Sequence, residues 1–153
     1  MSTPEERLRE LGIELPAVVP PVASYVPTAR TGSLVYTAGQ IPLVKGELGA
    51  TGKVGAEVSA EEAAAQARIC ALNAIAALKA EVGDLSRVVR IVKVVGFVAS
   101  APDFTGQPQV VNGASDLLAE VFGDAGKHAR SAVGVAVLPR DVPVEVELIA
   151  EVQ

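Results

Sequence analysis

Between Arg87 and Ala99 the chain reads RVVRIVKVVGFVA, thirteen residues dominated by valine and isoleucine. Side chains branched at Cβ lose rotamer freedom in a helix and pack well on a pleated surface, so the run predicts one long strand. It lies between two segments of helical periodicity, so the sheet it joins must carry helices on a face. Gly96, inside the run, marks a bulge or a close approach of another element.

The preceding segment opens with Ser59-Ala60-Glu61-Glu62, a capping box that satisfies the first free amides of a helix. Ala64, Ala67, Ala71, Leu72, Ile75 and Leu78 then recur on one face, and Gly83 supplies the stop. A second helix runs from about Pro108 to Phe122 and ends at Gly123. A second capping box, Thr3-Pro4-Glu5-Glu6, starts a short helix over residues 4 to 11, closed by Gly12. With the proline-rich run after it, this forms an N-terminal extension over residues 1–20. The run itself, to Pro27, is an extended linker or edge strand.

Two β-rich pieces, Ser24 to Ala29 and Ser33 to Ala38, flank Thr31-Gly32 and predict a hairpin. Five glycines between Gly39 and Gly55 break any period, so that stretch reads as a loop, and residues 43–55 are expected to form a rim or lid of a site. Ala129 to Leu138 and Pro143 to Glu151 read as strands about a turn at Pro139-Arg140-Asp141. In the last of these Val144, Val146, Leu148, Ala150 and Val152 share one face, with Glu145, Glu147, Ile149 and Glu151 on the other. The order β-β-α-β-α-β-β predicts an α+β fold in one domain, residues 1–153, with a mixed β-sheet and two long helices packed on one face. The opposite sheet face then needs polar residues or partner subunits.

Charge and aromatic content narrow the partners. Eighteen acidic against thirteen basic side chains give a net charge of -5, and there are two Tyr, three Phe and no Trp. Neither the electrostatic footprint nor the stacking platform of a nucleic-acid binder is present, so no nucleic-acid partner is expected. Residues 1 to 11 lack the apolar stretch of a secretory signal, and the longest uncharged run, Leu15 to Ala29, is broken by four prolines. A cytoplasmic location and no membrane partner are therefore expected.

Metal and nucleotide chemistry find little support. Gly46 and Gly52 are separated by five residues rather than the four of a P-loop, and Lys53 is followed by Val54. His128, the only histidine, has no second ligand at metal-binding spacing, so no metal is expected. Cys70 falls in the apolar region of the main helix and reads as a core thiol. Asn73 on that helix reads as a hydrogen-bonding residue between elements. In a simple antiparallel pairing of the last two strands, Arg130 and Glu147 fall nearly opposite one another. Such a pair is either a structural ion pair or a site: arginine suits a planar carboxylate, and a nearby glutamate can orient or deprotonate water.

The strings Gly39-Gln40-Ile41-Pro42, Ala129-Arg130-Ser131-Ala132-Val133, Leu138-Pro139 and Val144-Glu145-Val146-Glu147-Leu148-Ile149-Ala150 occur in order along the chain. In this series the sequence resembles the RidA/YjgF family of enamine and imine deaminases, from about Tyr25 to Val152. The resemblance implies a chorismate-mutase-like fold and a homotrimer with a barrel-like core and clefts between subunits. It implies no cofactor and a small carboxylate-bearing substrate. By the same resemblance Arg130 holds the carboxylate, Glu147 positions water, and Tyr25, Gly39, Asn112 and the backbone of Ala132 contact substrate. Asn112 aligns with the family's asparagine only through a local insertion. Ala38 and Ala132 stand where many relatives have Ser and Cys.

The implied reaction is hydrolysis of a 2-imino or 2-enamino acid to a 2-keto acid and ammonia. The alternative is a trimeric carboxylate-binding protein of the same family without turnover, which the missing Ser and Cys motivate. RNA cleavage, sometimes attached to this family, is disfavoured by the acidic balance.

Overall fold

The computed structural model describes every residue except Met1 and Val22. Helix α1 (Pro4–Glu10) starts where the first capping box predicts: Thr3 Oγ1 accepts from the Glu6 amide, and the Glu6 carboxylate accepts from the Thr3 amide. Helix α2 (Ala60–Val82) is capped by Ser59, whose hydroxyl oxygen accepts from the Glu62 amide, and it stops at Gly83 with φ +83°. Its buried stripe is broader than the alanine face read from the sequence. Ala63, Cys70 and Ala74 are fully buried, whereas Ala64 and Leu72 are half-buried. Helix α3 (Gln107–Phe122) ends at Gly123 as predicted.

Strand β1 (Thr28–Thr31) pairs antiparallel with β2 (Leu34–Thr37) across Gly32. The predicted hairpin is therefore present, with its first strand starting later than the sequence suggests. In the glycine-rich stretch, β3 (Leu43–Val44) and β4 (Glu47–Leu48) form a minute hairpin turned by Lys45 and Gly46, both at positive φ. The stretch is fastened at both ends, and Leu43 at its start lines a cavity described below, as a rim would. Asn73 Nδ2 donates to the carbonyls of Ile41 and Leu43 at 3.0 Å, and Val54, fully buried, exchanges backbone hydrogen bonds with Ala99 and Ala101. Asn73 thus has the inter-element role its position implied.

The long valine run forms β5 (Val88–Ala99), with β6 (Ala129–Val135) and β7 (Val144–Val152) after α3. The sheet order is β1-β2-β7-β5-β6, with β5 and β6 parallel and every other neighbouring pair antiparallel. Both long helices cover the face that carries Ile91, Val94, Val98, Val144, Val146 and Leu148, and these side chains join α2 and α3 in one core. Gly96 proves to be a close approach: a Cβ there would overlap Val111 of α3, while the ladder irregularities lie nearer the start of β5. Cys70 is buried in the core with Sγ 3.6 Å from the Val144 carbonyl oxygen, and burial pushes its thiol well up.

One expected pairing fails. Strands β6 and β7 do not form a hairpin, because β5 lies between them and pairs with both. A parallel partner fed by the α3 crossover takes the position that a simple hairpin would have given β6. Among the described residues no helix is long and apolar enough to cross a membrane.

Candidate functional site

The predicted residues divide between the middle strand of the sheet, β7, and its edge strand β6. Glu145 and Glu147 project from the face of β7 that the helices leave uncovered, as the alternation requires. Just past β2, Gln40 exchanges backbone hydrogen bonds with Val146, at 2.8 Å and 3.0 Å. This lays Gly39 against Glu145, so closely that a Cβ on Gly39 would collide with the carboxylate. Glu145, Gly39, Tyr25, Ala38, Ile41 and Leu43 line a cavity of about 520 Å³, which the proline-rich segment walls with Val19 and Pro20 and at which Arg140 also stands.

Glu145 is the carboxylate at the cavity that the sequence did not single out. Glu147, chosen from the sequence as its counterpart, stands opposite Val95 in the sheet and takes no part in the cavity wall. The two glutamates share one face, so alternation alone does not separate them. Contact with Gly39 does. Burial pushes the Glu145 carboxyl above the usual carboxylate range, and the nearby negative charge of Glu147 adds to the shift.

The β6 edge is built around Arg130. It pairs in parallel register with Val94, so its side chain shares the helix-facing side with that buried valine. Arg130 and Glu147 therefore point to opposite faces with β5 between their strands, and they form neither an ion pair nor a shared pocket. Arg130 Nη1 donates to Asn112 Oδ1 at 2.8 Å and to Ser115 Oγ at 3.1 Å, and Nη2 donates to the Pro108 carbonyl oxygen at 3.3 Å. Asn112 and Ser115 lie three residues apart, on one face of α3. These bonds use three of the five guanidinium N–H groups and leave Nε–H and one Nη2–H for a planar anion. Among the described residues no carboxylate lies within ion-pairing distance of Arg130.

The structure thus brings Arg130 and Asn112 together, and separately Tyr25 and Gly39. Ala132, beside Gly96 in the ladder, packs against the core. No hydrogen bond reaches Arg130 from residues 43–55. Chemically, the middle strand offers a desolvated carboxyl over an apolar cavity, and the β6 edge a cation with two donors unspent.

A five-stranded mixed sheet with both long helices on one face defines an α+β protein of the chorismate-mutase-like class. Residues 5–152 match the model of the family described as "YjgF/chorismate_mutase-like, putative endoribonuclease". The chain is 46% identical over 147 residues to Protein TCP17 of Trypanosoma cruzi, spanning 94% of this chain and 91% of that protein. It is 37% identical over 135 residues to the 2-iminobutanoate/2-iminopropanoate deaminase of Salmonella typhimurium, spanning 88% of this chain and 90% of the enzyme. The crystal structure of Atu1372 from Agrobacterium tumefaciens, a protein of unknown function, is similar at a TM-score of 0.92 and 46% identity, covering 98% of this chain and 92% of that one. The chain belongs to the RidA/YjgF family, which includes reactive-intermediate deaminases.

Proposed function

We propose that the protein hydrolyses a small 2-imino or 2-enamino acid to the 2-keto acid and ammonia, in clefts between the subunits of a homotrimer. The observation that carries this reading is the division of the site. A half-buried acid and an arginine with unspent donors sit on opposite faces of one sheet, on strands separated by β5, so only a second copy of the chain can bring them to one substrate. The uncovered sheet face supplies an interface. Tyr36 and Val133 on it are each 42% exposed, beside half-buried Phe97 and Ile149.

In the assembled cleft Arg130 of one subunit holds the substrate carboxylate through its two remaining N–H groups and orients the imine carbon toward Glu145 of the next. Water attacks the carbon of the N-protonated C=N bond, and its proton passes to the Glu145 carboxylate, leaving a neutral carbinolamine. The carbinolamine nitrogen takes that proton back, the C–N bond breaks, and ammonia leaves as the hydroxyl gives its own proton to the Glu145 carboxylate and becomes the carbonyl. Burial favours this role, because a carboxyl with a raised pKa is a stronger base once ionised. Tyr25 and the apolar wall hold the substrate side chain, and Gly39 leaves room for the acid.

The test generates a 2-imino acid in situ from L-leucine with an L-amino-acid oxidase and follows its decay. Acceleration by wild type that is lost in Arg130→Ala and Glu145→Gln is the expected result. No acceleration by a protein shown by light scattering to be trimeric would favour the non-catalytic binding reading, which Ala38 in the cavity wall also supports.

A further inference from the structure

Arg130 is oriented by more than its direct contacts. Ser115 Oγ, which accepts from Arg130 Nη1, lies 2.9 Å from His128 Nε2, and His128 Nδ1 lies 2.6 Å from the Gly126 carbonyl oxygen. A carbonyl oxygen only accepts, so Nδ1 carries a proton. In the neutral ring Nε2 is then the acceptor, and the Ser115 hydroxyl donates to it. All the directions agree: Arg130 donates to Ser115, Ser115 donates to His128, and His128 donates to the Gly126 carbonyl.

A serine inside a helix otherwise turns its hydroxyl to the carbonyl one turn earlier. The imidazole fixes the alternative rotamer, which aims a lone pair of Ser115 at the guanidinium. The chain spans three elements, α3, the segment leading into β6, and β6 itself, and it ends on backbone. Its parts are the only histidine of the sequence and a serine that the reaction does not use.

We infer that His128, acting through Ser115, is a positioning residue that sets the orientation of the Arg130 guanidinium and thereby the affinity of the site for a carboxylate-bearing ligand. The inference rests on the reading that Arg130 holds a substrate carboxylate. It assigns the Ser115–His128 pair to binding rather than to the chemical step, because the pair is hydrogen-bonded to the site through the Arg130 guanidinium.

The experiment measures kcat and KM in the leucine-derived imine assay for Ser115→Ala, His128→Leu, the double variant and His128→Gln. Each of the first two is expected to raise KM about tenfold, the worth of one charge-assisted hydrogen bond, with kcat within about twofold. The double variant should be no worse than either single one, since both cut the same chain. His128→Gln, whose side-chain carbonyl can accept from Ser115, should recover most of the loss. An unchanged KM in His128→Leu, or equal losses of kcat in all variants including His128→Gln, would overturn the inference.

If wild type has no turnover, calorimetric titration with 4-methyl-2-oxopentanoate decides. Weaker binding by His128→Leu, recovered by His128→Gln, sustains the positioning role while the deaminase reading fails. Equal binding by all variants, or no binding by wild type, overturns it.

Discussion

The middle and the β6 edge of the sheet hold opposite charges by opposite means. On the middle strand β7 Glu145 sits over apolar walls, is pushed above its ordinary pKa by burial, and is crowded by a second carboxylate. At the β6 edge Arg130 is surrounded by acceptors, with Asn112, Ser115 and the Pro108 carbonyl all engaged. An acid that is poorly solvated is made reactive, and a cation whose donors are partly committed is made stationary. On the proposed reading, the middle strand serves chemistry and the β6 edge serves recognition.

The most severe way to break the comparison is to remove each charge. Glu145→Gln should lower kcat by about 10²- to 10⁴-fold with little change in KM, whereas Arg130→Ala should act mainly through KM. Glu147→Gln is the control, expected to keep kcat/KM within about threefold because the residue stands outside the cavity. Loss of turnover in a trimeric Glu147→Gln protein would reverse the choice between the two glutamates.

Gly39→Ala tests the acid side of the comparison without removing the acid. The new methyl meets the Glu145 carboxylate, the far end of a flexible side chain, so the carboxylate swings away and the fold survives. Turnover should fall by up to about 10²-fold while Tm barely moves, measured by steady-state kinetics beside thermal unfolding.

Gly113→Ala tests the β6 edge. Its methyl would collide with the Ala64 carbonyl oxygen of α2, which is backbone and cannot rotate aside, so α3 must shift together with Asn112 and Ser115. Urea unfolding should show a loss of about 1–3 kcal/mol, and KM should rise more than kcat falls.

The smallest effect is on stability against pH. The Glu145 carboxyl has a higher pKa folded than unfolded, so it binds its proton more tightly in the native state. Its contribution favours folding below the unfolded carboxyl range and is lost as pH rises through the raised folded value. Glu145→Gln should therefore be the more stable protein near pH 8, with the gain vanishing below about pH 4. A gain equal at both pH values would remove ionisation as its cause.

Much of this molecule is legible in its sequence. Thr3 and Ser59 cap helices where the boxes predict them, Gly83 and Gly123 end theirs, and the residues of β7 alternate as read. The ordered motifs also placed the chain in its family, and Arg130 and Asn112, named separately, meet in the structure. The proline-rich segment and the stretch after Gly39 were less legible. Their geometry is set by distant partners, such as Asn73 holding the carbonyls of Ile41 and Leu43, and not by any period of their own.

The division has a physical reason. Caps, stops and the alternation of side chains follow from backbone geometry within a few residues, so the sequence by itself determined the elements and the face on which each residue lies. Which strands become neighbours depends on contacts far apart along the chain, and only the tertiary structure decided it. By inserting β5 between β6 and β7, the fold turned an apparent Arg130–Glu147 pair into two residues on opposite faces. By pairing Gln40 with Val146, it brought Glu145 rather than Glu147 to Gly39. Two glutamates two residues apart are equivalent to the pleat of a strand, and the packing of a neighbouring segment makes them different.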